Sequence, residues 1–425
     1  MAVLIRGGRV VDPYNNTDGV FDLLIEGSKI IKVAAGIKDA AVEVIEASGK
    51  IVIPGLVDMH VHLREPGRED KETLLSGTIA ALAGGVTSIL AMPNTTPAMD
   101  SVDSIKILKE RIDANAKANV FICGAITKER AGKDLVDIEA LKKEGVIAIS
   151  DDGASVDSDS LMLAAFKEAV QEGLLVICHS EDKSASCAGV VNLGFTSTRL
   201  GLRGISKESE YKRVLRDIEL AKEAKAKVHI AHLSCLESVD AVLKAKQRGA
   251  RVTVETCPHY FSFTEEAVLT YDTNFKMNPP LRSAADSQAL KDAISSGIID
   301  VIASDHAPHT ENEKDIEFER AEFGVIGLET ALLAAITELV DKGVLGWADL
   351  VKRMSLNPAR ILGINKGSLS VGADADIAII DPVKEQRITK ERFLSKSKNS
   401  PFIGRTLKGC VEYTLCLGKV YKWNS

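Results

Sequence analysis

The amino-acid sequence predicts an α/β protein, a (β/α)8 barrel of the TIM type with a small β-sandwich formed by both chain ends. Eight short runs rich in Val and Ile alternate with segments whose apolar residues recur at three-and-four spacing, as amphipathic helices require. Both chain ends instead consist of strand-like segments separated by glycine turns. Histidine and aspartate follow several of the apolar runs, which is where a barrel places its chemistry.

The composition is that of an ordinary globular protein. The 425 residues are 45% hydrophobic and 27% charged, and a chain of this length can form a barrel and a smaller domain. A net charge of -7 without a basic run argues against nucleic acid as a partner. The apolar runs have the length of strands, which predicts no membrane span, and the N-terminus lacks a signal-peptide pattern. Seven cysteines without CxxC spacing indicate reduced thiols, and we expect a cytoplasmic protein.

The apolar runs define the barrel strands. Strands buried on both faces read as continuous apolar runs, and their alternation with helical patterns indicates a parallel sheet. Eight such units in about 300 residues favour a closed barrel over the alternative, a doubly wound open sheet. The predicted strands are 56–63, 87–93, 119–126, 146–151, 174–180, 227–234, 251–257 and 299–305.

The domain boundaries are predicted where the pattern changes. "IPG" at 53–55 precedes the first barrel strand, and "NPARILGI" at 357–364 follows the last helical unit. We therefore expect two sandwich parts around one catalytic barrel. The predicted spans are 1–53, 54–357 and 358–425.

The stretch "VDMHVHLREPG" at 57–67 contains two of the eight histidines in the chain. Side chains alternate across a strand, so His60 and His62 point the same way, towards the mouth of the barrel. Arg64 shares this parity and is placed to meet an anionic group of a substrate. A lone HxH pair is more often an accident than a site, so the interpretation depends on the other strand ends.

Four histidines and two aspartates lie at the ends of the predicted strands. That much buried polarity would be costly without compensation, and metal coordination compensates it. The set exceeds the needs of one tetrahedral zinc ion and suits two zinc-like ions bridged by a carboxylate and a hydroxide, although Mn, Co, Ni and Fe remain alternatives. On the fourth strand, parity does not decide whether Asp151 or Asp152 is the ligand. The predicted ligands are His60, His62, Asp151 or Asp152, His179, His232 and Asp305.

Several motifs together resemble the amidohydrolase superfamily and, within it, the class I dihydroorotases. They include "PGLVDMHVHLREPG", "AMPNTTP", "ISDDG", "FKMNPPLR", "IASDHAPHT", "FGVIGLET" and "KSKNSPFIGRTLKG". The resemblance covers essentially the whole chain, and the last motif separates dihydroorotases from hydantoinases and allantoinases. Those relatives carry a carbamylated lysine on the fourth strand, where this chain has "SDDG".

The resemblance implies a role for each motif residue. His60, His62 and Asp305 would bind one Zn2+, His179 and His232 a second, and Asp152 would bridge them. Asp305 would also be the general acid/base. The implied substrate contacts are His62, Arg64, Asn94, Asn278, His309, Phe323 and Gly324, with Arg64 and Asn94 on the carboxylate and the last two acting through backbone groups.

The implied reaction is the reversible cyclisation of N-carbamoyl-L-aspartate to L-dihydroorotate, the third step of pyrimidine (UMP) biosynthesis. In hydrolysis, a hydroxide between the metals attacks the ring amide and Asp305 protonates the departing nitrogen. The resemblance also implies a homodimer and a possible complex with aspartate carbamoyltransferase. The alternatives are a hydantoinase- or allantoinase-like cyclic amidase and a non-catalytic partner of aspartate carbamoyltransferase. One departure from the family is Glu322, which stands where the family usually has proline.

Overall fold

The computed structural model describes residues 2–38 and 43–423. Eight parallel strands form one sheet in which each strand pairs with its neighbours in the order of the chain, apart from a small insertion after the fifth. Every strand overlaps the residue range predicted for it. The barrel prediction is therefore confirmed. The barrel strands, first to eighth, are Leu56–Val61, Val86–Ala91, Asn119–Gly124, Ala148–Ile149, Leu175–Cys178, Val228–Ile230, Val252–Thr256 and Val301–Ile302.

The first and eighth strands close the barrel through their flanking residues. Val61 forms a parallel bridge with His306, and the His62 N–H donates to the His306 carbonyl at 2.9 Å. Near the start of the seam, the Asp58 carboxylate accepts from the Ser304 N–H at 3.1 and 3.2 Å. These bonds exclude the open doubly wound sheet and bring the ends of the first and eighth strands together.

Helices lie between the barrel strands, and several begin at side-chain caps. Thr73 and Ser76 form a capping box, as do Ser101 and Ser104, and Ser283 with Asp286. The α-helices are Leu74–Ala83, Val102–Asn115, Ile138–Lys143, Asp159–Glu172, Lys183–Ser186, Phe195–Leu200, Lys207–Ala224, Leu236–Gln247, Pro258–Ser262, Ala284–Ser296, Glu311–Lys314, Ala331–Ala335, Trp347–Val351 and Asn357–Leu362. Shorter 3-10 turns are Lys128–Arg130, Glu265–Thr270, Thr273–Phe275 and Lys390–Arg392, and π-helical turns are Ile336–Val340 and Lys352–Leu356. Across the described ranges, none of the helices has the length and apolarity that a bilayer span requires.

Both chain ends contribute to one separate eight-stranded sheet, as predicted. Ile51–Pro54 joins them, because it pairs parallel with the N-terminal strand and antiparallel with Ile377–Arg387. This sheet has its own apolar cluster, which includes Ile5, Leu23 and Ile377. The positions of the domain boundaries stay predictions. The strands are Ala2–Asp12, Thr17–Glu26, Lys29–Ala34, Glu43–Glu46, Ile51–Pro54, Ile377–Arg387, Thr406–Cys416 and Lys419–Lys422.

A small insertion follows the fifth barrel strand and was not predicted from the sequence. Val191–Asn192 and Gly204–Ile205 form a two-stranded parallel sheet around a short helix. Strands this short carry little periodicity, which explains why the sequence pattern did not show them.

Candidate active site

The first group of predicted ligands meets at the ends of the first, fourth and eighth strands. The Nε2 atoms of His60 and His62 each lie 3.4 Å from Asp152 Oδ2. The same two nitrogens lie 3.6 and 3.4 Å from Asp305 Oδ1. All four side chains are buried. The alternation along the first strand therefore does bring both imidazoles to one point.

A second group lies on the other side of the same carboxylate. His179 Nδ1 and His232 Nε2 are 2.9 Å apart and lie 3.6 and 3.5 Å from Asp152 Oδ1. One oxygen of Asp152 thus faces the first pair of histidines, and the other oxygen faces the second pair. The structure brings together all six side chains that the resemblance named as metal ligands.

The chemistry of this donor set fits metal ions. Two ligand atoms about 2.1 Å from one zinc ion are separated by about 3.0 to 3.5 Å at common bond angles, close to the distances found here. His60 Nε2 and Asp152 Oδ1 are buried and lack a hydrogen-bond partner among the described residues. Burial opposes ionisation of Asp152, but His60, His179 and His232 outweigh it and hold its pKa well below the usual range. The carboxylate is therefore available as an anionic ligand.

Asp151 has a different environment, which resolves the choice that parity left open. Its Oδ1 accepts from the backbone N–H groups of Ile126 and Thr127 at 2.8 and 3.1 Å, and its Oδ2 accepts from the Thr127 hydroxyl. These bonds attach the fourth strand end to the third. Both oxygens of Asp151 thus already accept hydrogen bonds from the protein, whereas Asp152 faces the histidines.

Glu255, on the seventh strand, orients His60 and was missed in the sequence. Its Oε1 lies 2.6 Å from His60 Nδ1, and its Oε2 lies 3.1 Å from Nε2 of His229. A proton on Nδ1 leaves the Nε2 lone pair of His60 facing the aspartates. The signal that could have found Glu255 is a carboxylate in an otherwise apolar strand, "RVTVETC".

Two asparagines help to orient histidines of the site, Asn94 by contacting His62 directly and Asn278 by contacting Glu181, which contacts His179. His62 Nδ1 lies 2.7 Å from Asn94 Oδ1, so the Asn94 amide keeps its N–H donors. Asn278 donates to Glu181 Oε2 at 3.0 Å, and the same oxygen lies 3.3 Å from His179 Nε2. Burial opposes ionisation of Glu181, but His179 prevails and lowers its pKa to about 2. Glu181 is a further residue that the sequence analysis did not name.

Arg64 keeps donors free for an anion. Its Nε donates to the Pro308 carbonyl at 3.1 Å and its Nη2 lies 3.3 Å from His309 Nε2, which leaves Nη1 without a partner among the described residues. Lys71 Nζ lies 3.1 Å from His309 Nδ1, which makes Nδ1 the acceptor and leaves the ring proton on Nε2, where it donates to the Phe323 carbonyl at 2.8 Å. Burial and then the charges of Arg64 and Lys71 lower the pKa of His309 to about 2, so the imidazole is neutral.

These side chains line one cavity of about 280 Å3 at the mouth of the barrel. Of the site residues that the resemblance named, His60 alone does not line this cavity, since it lies beneath the other ligands. The volume suits a small ring. Gly324 accepts two hydrogen bonds on its carbonyl, from Lys314 and Asn399, and its N–H donates to the Lys276 carbonyl at 3.0 Å. Its predicted backbone contact with a substrate stays a prediction.

Three site residues have left-handed backbone conformations. Arg64, His232 and Asp305 have φ values of 61°, 37° and 47°. Each of them closely follows a barrel strand, and such conformations are costly for residues other than glycine. At these three positions, backbone strain therefore accompanies the turn of the side chain into the mouth of the barrel.

The remaining histidines are also buried and lie around the centre. His306 contacts Glu72, with 3.3 Å between Nε2 and Oε2. His259 and Cys257 approach Asp305 closely enough to form a further possible ligand group, and His259 Nε2 has no hydrogen-bond partner among the described residues. Burial lowers the pKa of His259 to about 4, which keeps this imidazole neutral.

Residues 49–238 match a family model described as Dihydro-orotase-like. The chain is 52% identical over 420 residues to the dihydroorotase of Elusimicrobium minutum, covering 99% of this chain and 97% of that protein. It is 49% identical to the dihydroorotase of Pelotomaculum thermopropionicum, with 99% and 98% covered. The chain belongs to the dihydroorotase family. The family resemblance predicted from the motifs is thereby confirmed.

Solved structures similar to this dihydroorotase-family chain include hydantoinases and dihydropyrimidinases. An L-hydantoinase (dihydropyrimidinase) from Arthrobacter aurescens superposes with a TM-score of 0.89 at 26% identity, covering 98% of this chain and 95% of its own. A dihydropyrimidinase from Brevibacillus agri gives 0.87 at 25% identity, with 100% and 95% covered. Because both superpositions cover nearly the whole chain, this chain shares its barrel and accessory sheet with these two enzymes.

Proposed function

We propose that the protein is a metal-dependent dihydroorotase, which interconverts N-carbamoyl-L-aspartate and L-dihydroorotate in the third step of pyrimidine biosynthesis. One juxtaposition supports this proposal above the others. Free donors of Arg64 and Asn94 line the same small cavity as the cluster around Asp152. A cyclic amide that carries a carboxylate matches both halves of that cavity.

We expect two Zn2+ ions in the cluster. His60, His62 and Asp305 would hold one ion, and His179 and His232 the other. Asp152 would lie between them, which is supported by its two oxygens facing the two histidine pairs. Bound metal ions would supply an activated water and polarise the amide carbonyl.

Asp305 is proposed as the general acid and base. Its Oδ1 lies 3.4 Å from His62 Nε2, at the edge of the cavity. Burial opposes its ionisation, but His60 and His62 outweigh burial and hold its pKa well below the usual range. In hydrolysis its carboxylate takes a proton from the water and passes it to the ring nitrogen as the C–N bond breaks. In cyclisation the same carboxylate removes that proton from the carbamoyl nitrogen.

Arg64 and Asn94 are proposed to hold the substrate carboxylate away from the reacting carbonyl, with His309 lining the cavity beside them. A charged pair with a guanidinium favours a carboxylated ring over a neutral one, which distinguishes dihydroorotate from hydantoin and allantoin. We also propose a cytoplasmic homodimer that can bind aspartate carbamoyltransferase. Light scattering of the protein alone and in a mixture with that enzyme tests this assembly.

The activity is tested by following dihydroorotate hydrolysis in the ultraviolet, with hydantoin and allantoin assayed in parallel. Bound metal is measured on the same preparation. Turnover of dihydroorotate that is lost on chelation and restored by Zn2+ is the expected result. Turnover of hydantoin or allantoin in its place would contradict the substrate assignment, and metal-loaded protein without any turnover would favour a non-catalytic partner.

A further inference from the structure

The motif "KSKNSPF" has no part in the proposed chemistry, yet its chain runs beside the substrate cavity. The 394–400 strap is the segment that leads from the 3-10 turn Lys390–Arg392 towards the final strands. Glu329 accepts from the backbone N–H groups of Leu394 and Ser395 at 2.9 and 3.0 Å. Ser397 donates to the Lys71 carbonyl at 2.7 Å. The 394–400 strap is therefore fixed against the barrel over its whole length.

Both the oxygen and the nitrogen of the Asn399 side-chain amide form hydrogen bonds with two loops of the barrel. Its Oδ1 accepts from the His309 N–H at 3.2 Å. Its Nδ2 donates to the carbonyls of Ala307 and Gly324 at 3.2 and 3.1 Å. The residue is 4% exposed, so these bonds form away from water, where losing them is most costly. One buried amide thus joins the 307–309 loop to the 323–325 loop.

The two loops meet tightly at the point that Asn399 joins. A Cβ on Gly324, whose φ is 127°, would lie 2.7 Å from the Ala307 Cβ and 3.1 Å from His309 Nε2. His309 Nε2 also donates to the Phe323 carbonyl at 2.8 Å. His309, Phe323 and Gly324 all line the cavity, so the shape of this part of its wall depends on this contact.

We propose that Asn399 is a positioning residue that sets the substrate-facing wall formed by His309, Phe323 and Gly324. Asn399 itself lies behind this wall and does not line the 280 Å3 cavity. Its loss would loosen contacts to the ring and its carboxylate while leaving the metal ligands in place. The inference rests on the proposed function for its kinetic readout, but its structural readout is independent of activity.

The kinetic test compares Asn399→Ala and Asn399→Asp with the wild type. The alanine variant removes all three bonds, and the aspartate variant keeps the shape and the acceptor for His309 N–H but loses both donors. We expect KM for dihydroorotate to rise about tenfold in each, with kcat changed by less than about threefold and bound metal unchanged. Asn357→Asp is the matched control, since Asn357 donates to the Asp300 carbonyl at 2.8 Å, before the eighth strand, and lines no part of the cavity.

The structural test is amide hydrogen exchange of the same four proteins. We expect faster exchange in peptides covering residues 305–326 of both Asn399 variants, and wild-type exchange there in the control. An unchanged KM together with unchanged exchange in this region would overturn the proposal, and so would loss of bound metal or loss of the fold in both variants. If the wild type does not hydrolyse dihydroorotate, the proposed function fails, and the exchange pattern alone decides the role of Asn399.

Discussion

Asp151 and Asp152 are adjacent in the chain, but their carboxylates contact different groups. Asp151 accepts backbone and hydroxyl protons from the end of the third strand, and Asp152 lies between two histidine pairs. A carboxylate bonded to neutral donors holds loops together, whereas one surrounded by imidazole nitrogens is suited to bind a metal ion. Substitution of each should therefore have distinct consequences.

Asp152→Asn is expected to lose metal and to lower kcat for dihydroorotate by about 1000-fold, because a neutral amide is a poor bridging ligand. Asp151→Asn is the matched neighbour. It should keep its metal and lose about 1 to 2 kcal/mol of stability, since one amide oxygen replaces two acceptors. Metal analysis and thermal unfolding of both variants check this. Metal loss from the Asp151 variant alone would reverse the assignment.

Arg64→Met is expected to raise KM for dihydroorotate by about 10- to 100-fold, the value of charge-assisted hydrogen bonds to a carboxylate. Burial lowers the pKa of Arg64 to about 10, so the guanidinium still carries its charge at neutral pH. Steady-state kinetics measure the effect, with any slow hydrolysis of the neutral ring hydantoin as the internal comparison. Equal KM values for wild type and variant would exclude Arg64 as the carboxylate contact.

Among the elements, the seventh strand contacts the proposed metal cluster through Glu255, which is not itself one of the proposed ligands. Val252–Thr256 places Glu255 against His60 and His229, and all three side chains are fully buried. Burial opposes ionisation of Glu255, but His60 and His229 lower its pKa to about 2. A side chain of the seventh strand thus holds a proton on Nδ1 of His60, a proposed metal ligand on the first strand.

Glu255→Gln is expected to weaken metal affinity by about 10- to 100-fold, the usual effect of losing a carboxylate behind a histidine ligand. Competition with a chelator of known affinity measures the change. Thr253→Val, which removes only the hydroxyl 2.8 Å from His229 Nδ1, is the control. If both variants bind metal as the wild type does, Glu255 has no role in holding His60.

The helix Lys207–Ala224 carries a pH-dependent contribution to stability. Asp217 is buried, accepts from the Ser180 hydroxyl at 2.9 Å and lies 3.2 Å from Arg216. Burial outweighs these partners and raises its pKa from 3.8 to about 6. The folded state therefore holds this proton more tightly than the unfolded chain, and stability from this group falls as pH rises from about 4 to 6.

Asp217→Asn removes this titration. We expect the free energy of unfolding of the variant, minus that of the wild type, to be about 1 kcal/mol larger at pH 8 than at pH 5. Thermal unfolding of both proteins across that range measures the difference. Asp18→Asn is the control, because its hydrogen bond with Arg9 lowers the pKa of the exposed Asp18, so this carboxylate is ionised in both states and should show no such dependence between pH 5 and 8. A stability difference between the Asp217→Asn variant and the wild type that does not vary with pH would contradict the burial argument.

At the scale of the whole molecule, the barrel mouth is stable only if its buried charges are compensated. Asp152, Asp305 and Glu255 are fully or nearly fully buried beside histidines. Removing metal leaves donor atoms such as His60 Nε2 without partners, so chelation should lower the unfolding temperature as well as abolish turnover. Calorimetry before chelation, after it and after addition of Zn2+ checks this. An unfolding temperature that does not change with metal would contradict a buried metal centre.

The sequence predicted the elements better than the contacts between them. The runs at 56–63 and 251–257 were identified as strands because an apolar run has a local signature. The pairing of Glu255 with His60 has no such signature, since the two residues are 195 positions apart and meet only when the barrel closes. The insertion containing Val191–Asn192 and Gly204–Ile205 was missed because its strands are too short for periodicity.

The sequence by itself predicted the barrel and the sheet made from both chain ends, which are confirmed, and named the histidines and aspartates that the structure brings together at the barrel mouth. Alternation along a strand and the placement of chemistry at strand ends are local rules, and they suffice for His60 and His62. The family resemblance had chosen Asp152 over Asp151, but only the tertiary structure showed which of them faces the histidines, supplied Glu255 and Glu181, and brought Asn399 to the substrate wall. Each of these depends on hydrogen bonds between segments distant in the chain, and such bonds exist only after the fold has formed.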